Sequence, residues 1–273
     1  MEIQKIRAIC YSATGNTARA VTTIAEELAK LLQVPLEIVR FTTPAERAKD
    51  HSFTDKDLVV VGTPTYAGKM PNKLLPDFQS RLHGSGALAV GVVTFGNRSF
   101  DNALAELCAV LEADGFHTVA AGAFVAQHAF TDELAYGRPG WSDQFEMKNF
   151  AKRIADKVKH LTDEPKAVEV PGDAAAPYYV PKGTDGQPAK FLKAKPKTKL
   201  ARCNGCGACV RNCPMGAIDP KDPSNVPGTC IKCQACVRKC TKQAKYFDDP
   251  AFLSHVAMLE QNFGEPKENE TFL

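Results

Sequence analysis

Eight of the ten cysteines in this 273-residue chain fall into two runs of identical spacing. Cys203, Cys206, Cys209 and Cys213 read C-x2-C-x2-C-x3-C, and Cys230, Cys233, Cys236 and Cys240 repeat it. Three thiolates set two residues apart can wrap one face of an iron–sulfur cube, while the fourth lies too far along to close it. Zinc ribbons also use C-x2-C pairs, but they place a loop between two such pairs, and a third Cys in a tight run has no place at a tetrahedral site. Disulfides fit less well still, because nothing marks the chain as secreted.

Two such runs in tandem resemble the bacterial ferredoxins that carry two [4Fe–4S] clusters, over residues 198–247. That resemblance implies a small α+β domain with crossed ligation, the distal Cys of each run serving the other cluster. Cys203, Cys206, Cys209 and Cys240 would hold one cluster, and Cys230, Cys233, Cys236 and Cys213 the other. The first run ends Cys213-Pro214, as the ferredoxin pattern expects; the second ends Cys240-Thr241. The missing proline bears on the backbone bend and the solvent shielding after Cys240, not on the ligation.

The chain is long enough, and at 44% apolar residues rich enough, to bury a full core and leave a smaller second domain. No stretch approaches the roughly 20 apolar residues of a membrane span. The first residues, Met1 to Ile9, alternate charged and apolar side chains without a signal-peptide core. With oxygen-sensitive clusters, this points to a reducing cytoplasm. The net charge of +3 conceals an asymmetry: residues 182–247 carry fourteen Lys/Arg against three Asp/Glu, whereas residues 248–273 carry one Lys against six acids. Two oxidised clusters would remove about four charges from the first segment and leave it near +7. No nucleic-acid recognition motif accompanies this basic patch. An acidic redox partner, or the chain's own tail, is the expected neighbour.

Residues 1–162 alternate apolar runs with helical periodicity, the pattern of a parallel α/β sheet. Ile6–Tyr11, Leu36–Phe41, Leu58–Thr63, Ala87–Phe95 and Thr118–Ala126 read as five strands. Val21, Ile24, Leu28 and Leu31 mark the first helix, Leu104, Leu107, Cys108 and Leu111 a later one, and Met147, Phe150, Ile154, Val158 and Leu161 the last. Ser12-Ala13-Thr14-Gly15-Asn16-Thr17 joins the first strand to the first helix. Its hydroxyls and its glycine suit a phosphate at a helix N-terminus, and they equally suit ordinary capping. Pro64-Thr65-Tyr66-Ala67-Gly68 follows the third strand and Gly96-Asn97-Arg98-Ser99-Phe100 the fourth. Both lie at strand carboxyl ends, where open α/β sheets bind ligands.

With these three loops in place, residues 3–160 resemble a flavodoxin. The resemblance implies a five-stranded parallel sheet of order 2-1-3-4-5 and bound FMN. Ser12, Thr14, Gly15, Asn16 and Thr17 would hold the phosphate, and Tyr66, with Pro64, Thr65, Ala67 and Gly68, would stack on the isoalloxazine. Gly96, Asn97, Arg98 and Phe100 would cover its other side. His128 and Arg138, in the loop from Gln127 to Gly140, would then lie near the flavin edge. Gly62 to Lys69 misses the nucleotide P-loop spacing, and Gly84 to Ala89 precedes a strand instead of following one, so no nicotinamide nucleotide is expected. Cys10 and Cys108 read as buried thiols.

Residues 163–197 read as an extended, Pro- and Lys-rich connector in which Tyr178, Tyr179, Phe191 and Leu192 could pin it to a domain. Phe252, Val256, Leu259 and Phe263 mark an amphipathic helix in an acidic tail, residues 248–273, expected to fold back on the basic domain. The whole order resembles the flavodoxin–ferredoxin fusions of anaerobic prokaryotes, which implies intracellular electron transfer without a membrane span or nucleic acid. The competing expectation is an FMN-dependent reductase whose clusters feed a flavin-bound small molecule.

Overall fold

The computed structural model describes residues 2–273; Met1, where the first expected domain begins, lies outside the described residues. Five strands form the parallel core: β1 (Lys5–Cys10), β2 (Leu36–Arg40), β3 (Asp57–Pro64), β4 (Leu88–Phe95) and β5 (His117–Val125). They lie in the order β2-β1-β3-β4-β5. Strands β3 and β4 are continuous apolar runs, buried almost end to end because helices cover both faces of the sheet. On one face, α1 (Asn16–Leu32) and α4 (Trp141–Lys159) bring Val21, Ile24, Leu28, Phe150 and Ile154 against Ile6, Leu58, Val60 and Phe124. On the other, α2 (Leu75–Arg81) and α3 (Ala103–Ala113) bring Phe78, Leu104 and Leu107 against Ile9, Val59 and Val61. Gly62 lets α1 approach closely: a Cβ there would stand 2.3 Å from a Val21 methyl.

The sheet has six strands instead of the expected five. Strand β6 (Glu270–Phe272), from the tail, pairs antiparallel with β5, Thr271 opposite Gly122. It covers the open edge that β5 would otherwise present to other chains. The tail helix α5 (Pro250–Asn262) bridges the two parts: Met258 and Leu259 pack against Phe130 and Leu134 of the long loop after β5, while Phe252 packs against Phe191, Ala194 and Phe247 of the basic segment. The expected contact of the tail with the basic segment is thus made by apolar packing at Phe252 and by the Lys197–Asp248 pair, while the residues after α5 run along the α/β domain instead. The tail's main anchors are backbone pairing on β5 and apolar contact on both sides of α5, less easily screened than surface charge.

The connector is extended and tied down along its length. The Val168 N–H donates to Thr118 O at 2.8 Å, that of Tyr179 to Ala67 O at 2.8 Å, and the Tyr178 hydroxyl to Met70 O at 2.9 Å. The cysteine-rich unit closes with Lys197–Thr198 paired antiparallel to Lys245–Tyr246. Within it, two single helical turns, Ala208–Arg211 and Ala235–Arg238, share the sequence Ala-Cys-Val-Arg. Each follows a left-handed residue, Gly207 (φ 69°) and Gln234 (φ 63°), so the duplicated spacing is a duplicated backbone.

Candidate cofactor cavity and cysteine cluster

A cavity of about 490 Å³ opens at the carboxyl ends of β1, β3 and β4. It is lined by Thr14, Asn16 and Thr17 of the first loop, Pro64 to Gly68 of the second, and Gly96 and Arg98 of the third. Three loops distant in sequence thus converge because the crossover between β1 and β3 leaves a crevice there. Around the first loop, the backbone N–H groups of Ala13 to Thr17 find no protein acceptor among the described residues, while Gly15 (φ 107°) turns the chain into α1. The buried Thr65 hydroxyl also has no partner. Unpaired donors at a helix N-terminus suit a phosphate, and the long aromatic-walled cleft suits a planar ring.

Four expected contacts fall outside the lining. Ser12 accepts the Ala18 N–H at 3.0 Å and so caps α1 from within, as the capping alternative allows. Gly15 shapes the turn. Phe100 is buried against Phe95, ring centroids 5.5 Å apart. Asn97 is 1% exposed and committed to the tail, its amide donating to Phe263 O at 2.7 Å and Glu265 O at 3.0 Å while it accepts the Lys267 N–H at 3.1 Å. Thr17 lines the cavity, with its hydroxyl 2.7 Å from that of Thr94. Arg98 is paired with Asp101 and lies 4.2 Å over the Tyr179 ring.

The far wall comes from segments that periodicity does not connect: Tyr178, Tyr179 and Phe191 of the connector, His255 and Leu259 of α5, and the Cys230-Ile231-Lys232-Cys233 loop. His128 lines it too, where a Cβ on Gly96 would stand 2.3 Å from its ring; the glycine makes room for the imidazole. Its Nδ1 accepts the Phe130 N–H at 3.1 Å. Burial depresses His128 to about 4, with His255 and Arg238 adding. His255, whose Nδ1 lies 2.8 Å from Lys182 O, is also held low by burial. Arg138 stays outside the lining, bonded to Asp143 and to Lys267 O.

The cysteine cluster borders this cavity directly. Tyr11 and Tyr66, both raised well above the usual phenol range by burial, stand close enough to Cys233 to feel its charge. Burial pushes Cys233 up to about 12 and raises Cys230 and Cys236, and all three also feel Cys213. The distal Cys of the first run thus sits among the cysteines of the second. Backbone N–H groups point at sulfur, from Ala217 to Cys213 at 3.3 Å, from Lys232 to Cys230 at 3.4 Å and from Ala244 to Cys240 at 3.3 Å. Burial alone would raise Cys240, but the N–H groups of Ala244, Lys242, Lys245 and Gln243 outweigh it and hold the thiol low. Such donors favour thiolates bound to iron. Among the described residues no three Cys, His, Asp or Glu side chains gather as for a single ion; a cube places its thiolates on separate irons and requires no such gathering. Cys10 and Cys108 are packed thiols, each raised to about 12 by burial.

Residues 202–245 match the 4Fe-4S dicluster domain. No curated protein matches the chain. Among solved structures it is similar to a flavodoxin from the domain Archaea (17% identity, 57% of this chain and 100% of that one, TM-score 0.41). It is also similar to the two-electron reduced flavodoxin of Megasphaera elsdenii (14%, 55% and 98%, TM-score 0.35). An apo NADH:FMN oxidoreductase gives 16% identity over 60% of this chain and 95% of that one, with a TM-score of 0.42. Among the described residues no helix is long and apolar enough to cross a membrane. The strand order and the matched segment together make this chain a flavodoxin-like α/β fold joined to a ferredoxin-type iron–sulfur domain.

Proposed function

We propose that the chain is an electron-transfer protein, working in a reducing cytoplasm, that holds FMN in its cavity and two [4Fe–4S] clusters on its eight paired cysteines. In this reading residues 1–162 carry the flavin, 163–197 strap the halves together, 198–247 carry the clusters, and 248–273 brace the flavin domain. The observation that carries it is one shared wall: the loop bearing Cys230 and Cys233 lines the same cavity as Thr14, Thr65 and Tyr66. When bound, FMN supplies two-electron capacity and each cluster passes electrons singly. The chain's own residues do the positioning. Thr14 and the N–H groups of 13–17 would take the phosphate, while Tyr66, Tyr179 and His128 would bound the ring. Arg238 locks the halves through Ala129 O at 3.0 Å, Thr131 O at 2.9 Å and Asp132. Arg47 does so through Pro214 O at 2.8 Å.

Cysteines would be shared across the runs, Cys213 with Cys230, Cys233 and Cys236, and Cys240 with Cys203, Cys206 and Cys209. Protein purified without oxygen should contain one flavin and about eight iron and eight sulfide per chain. Zinc in place of iron, or no flavin, would contradict the reading. Cys213→Ser should damage the cluster of the second run; damage confined to the first run would overturn the crossed ligation.

A further inference from the structure

The two cysteine runs differ in their surroundings. Cys233 and Cys236 of the second are buried, 9% and 8% exposed, whereas Cys206 of the first is exposed. The chain around the first run is basic without relief: no Asp or Glu occurs from residue 186 to 218, nor from 223 to 247. Many of these cations are used inside the molecule. Lys195 donates to Val226 O at 2.6 Å and Lys232 to Leu192 O at 2.9 Å, Arg238 is paired with Asp132, and Lys245 is buried on Pro223 O.

A smaller set remains turned outward. Arg202 and Lys242 are exposed, and among the described residues their charged heads have no bonded partner. Arg211 is exposed and reaches only the Cys206 carbonyl, at 2.9 Å. Lys199 lies over Tyr246, and its N–H donates to Ala244 O at 2.8 Å, which brings the Leu200 turn beside the Lys242 segment. Leu200, between Lys199 and Arg202 in the chain, is 72% exposed. Cations around an apolar centre beside an exposed metal-type thiol form a surface for brief, charge-steered docking of another protein.

We propose that an acidic electron-transfer protein docks on the face formed by Lys199, Leu200, Arg202, Arg211 and Lys242 around Cys206, and exchanges electrons there instead of at the enclosed flavin cavity. The proposal rests on the electron-transfer reading above. An apolar centre and the exposed Cys206 favour a redox protein over a nucleic acid, which would meet no stacking surface here beyond the Lys199-covered Tyr246.

The test uses the full-length holoprotein and, as probe, a strongly acidic [2Fe–2S] ferredoxin, with affinity measured by calorimetry and electron exchange by stopped flow. Affinity and second-order rate should both fall at least about tenfold between about 20 mM and about 300 mM salt. Lys199→Glu with Arg202→Glu should lower both about tenfold at low salt, with iron, flavin and internal electron transfer unchanged. A salt-independent rate, an unaffected double variant, faster exchange with a basic cytochrome, or tighter binding of single-stranded DNA than of the acidic probe would each overturn the docking site. Loss of internal electron transfer in the unmodified protein would instead overturn the reading beneath it.

Discussion

Tyr11 and Tyr66 meet hydroxyl to hydroxyl at 3.3 Å, their ring planes 78° apart, where the cavity wall touches the Cys233 thiol. Tyr11 is fully buried at the end of β1, and Tyr66 sits in the loop after β3, so the pair spans the crevice between the sheet and the cysteine loop. Burial keeps both phenols protonated, which leaves a proton to donate toward sulfur.

Tyr11→Phe removes that donor. A hydroxyl dipole close to a thiolate favours the more negative, reduced cluster. The variant should lower the reduction potential of the cluster on Cys233 and leave the other unchanged. A redox titration followed by electron paramagnetic resonance checks this; equal potentials in variant and parent would refute it.

Gly96→Ala should drive a methyl group into the His128 ring, 2.3 Å from its nearest carbon. The imidazole must move into the cavity or the loop must shift, at a cost of about 1–3 kcal/mol. FMN affinity, followed by flavin fluorescence, should fall at least about tenfold. Undiminished affinity would place the ring elsewhere.

His128 gives the fold an acid limit. In the unfolded chain a histidine takes up its proton near pH 6.5, whereas the folded chain resists until about 4. The folded pKa is depressed, so its contribution is complete above about 6.5 and is lost as pH falls toward about 4. His255 adds in the same direction. Urea midpoints should decline from pH 6.5 to 4, and His128→Gln should flatten that decline. A slope unchanged by the substitution would contradict the assignment.

Asn97→Ala should free the tail. Three hydrogen bonds from one buried amide are lost, at about 1 kcal/mol each. Hydrogen exchange over residues 264–272 should quicken while β3 stays protected. Unchanged exchange there would show that β6 pairing alone holds the segment.

Legibility tracked locality. The cysteine runs and the loop Ser12–Thr17 were readable because their chemistry lies within a few residues, and β1 to β5 because buried parallel strands are continuous apolar runs. The cavity's far wall was not, since Phe191, Cys233 and His255 reach it through contacts more than a hundred residues long. Gly96 reads as a flavin contact in sequence, yet it also answers to His128. Asn97 reads likewise and serves the tail. Charge points the tail toward the basic segment, which Phe252 of α5 does meet, but backbone pairing of Thr271 with Gly122 and the grip of Asn97 carry its last residues to the sheet. Net charge reports long-range attraction and carries no information about hydrogen-bond register.

Flavin and clusters should exchange electrons within one chain across the Tyr11–Tyr66–Cys233 contact. Pulse reduction of the anaerobic holoprotein, with the cluster and flavin absorbances followed together, resolves this step. Electrons should redistribute between the two in a first-order process whose rate does not change as protein concentration is varied about tenfold. A rate that rises in proportion to concentration would mean transfer between molecules and would contradict it.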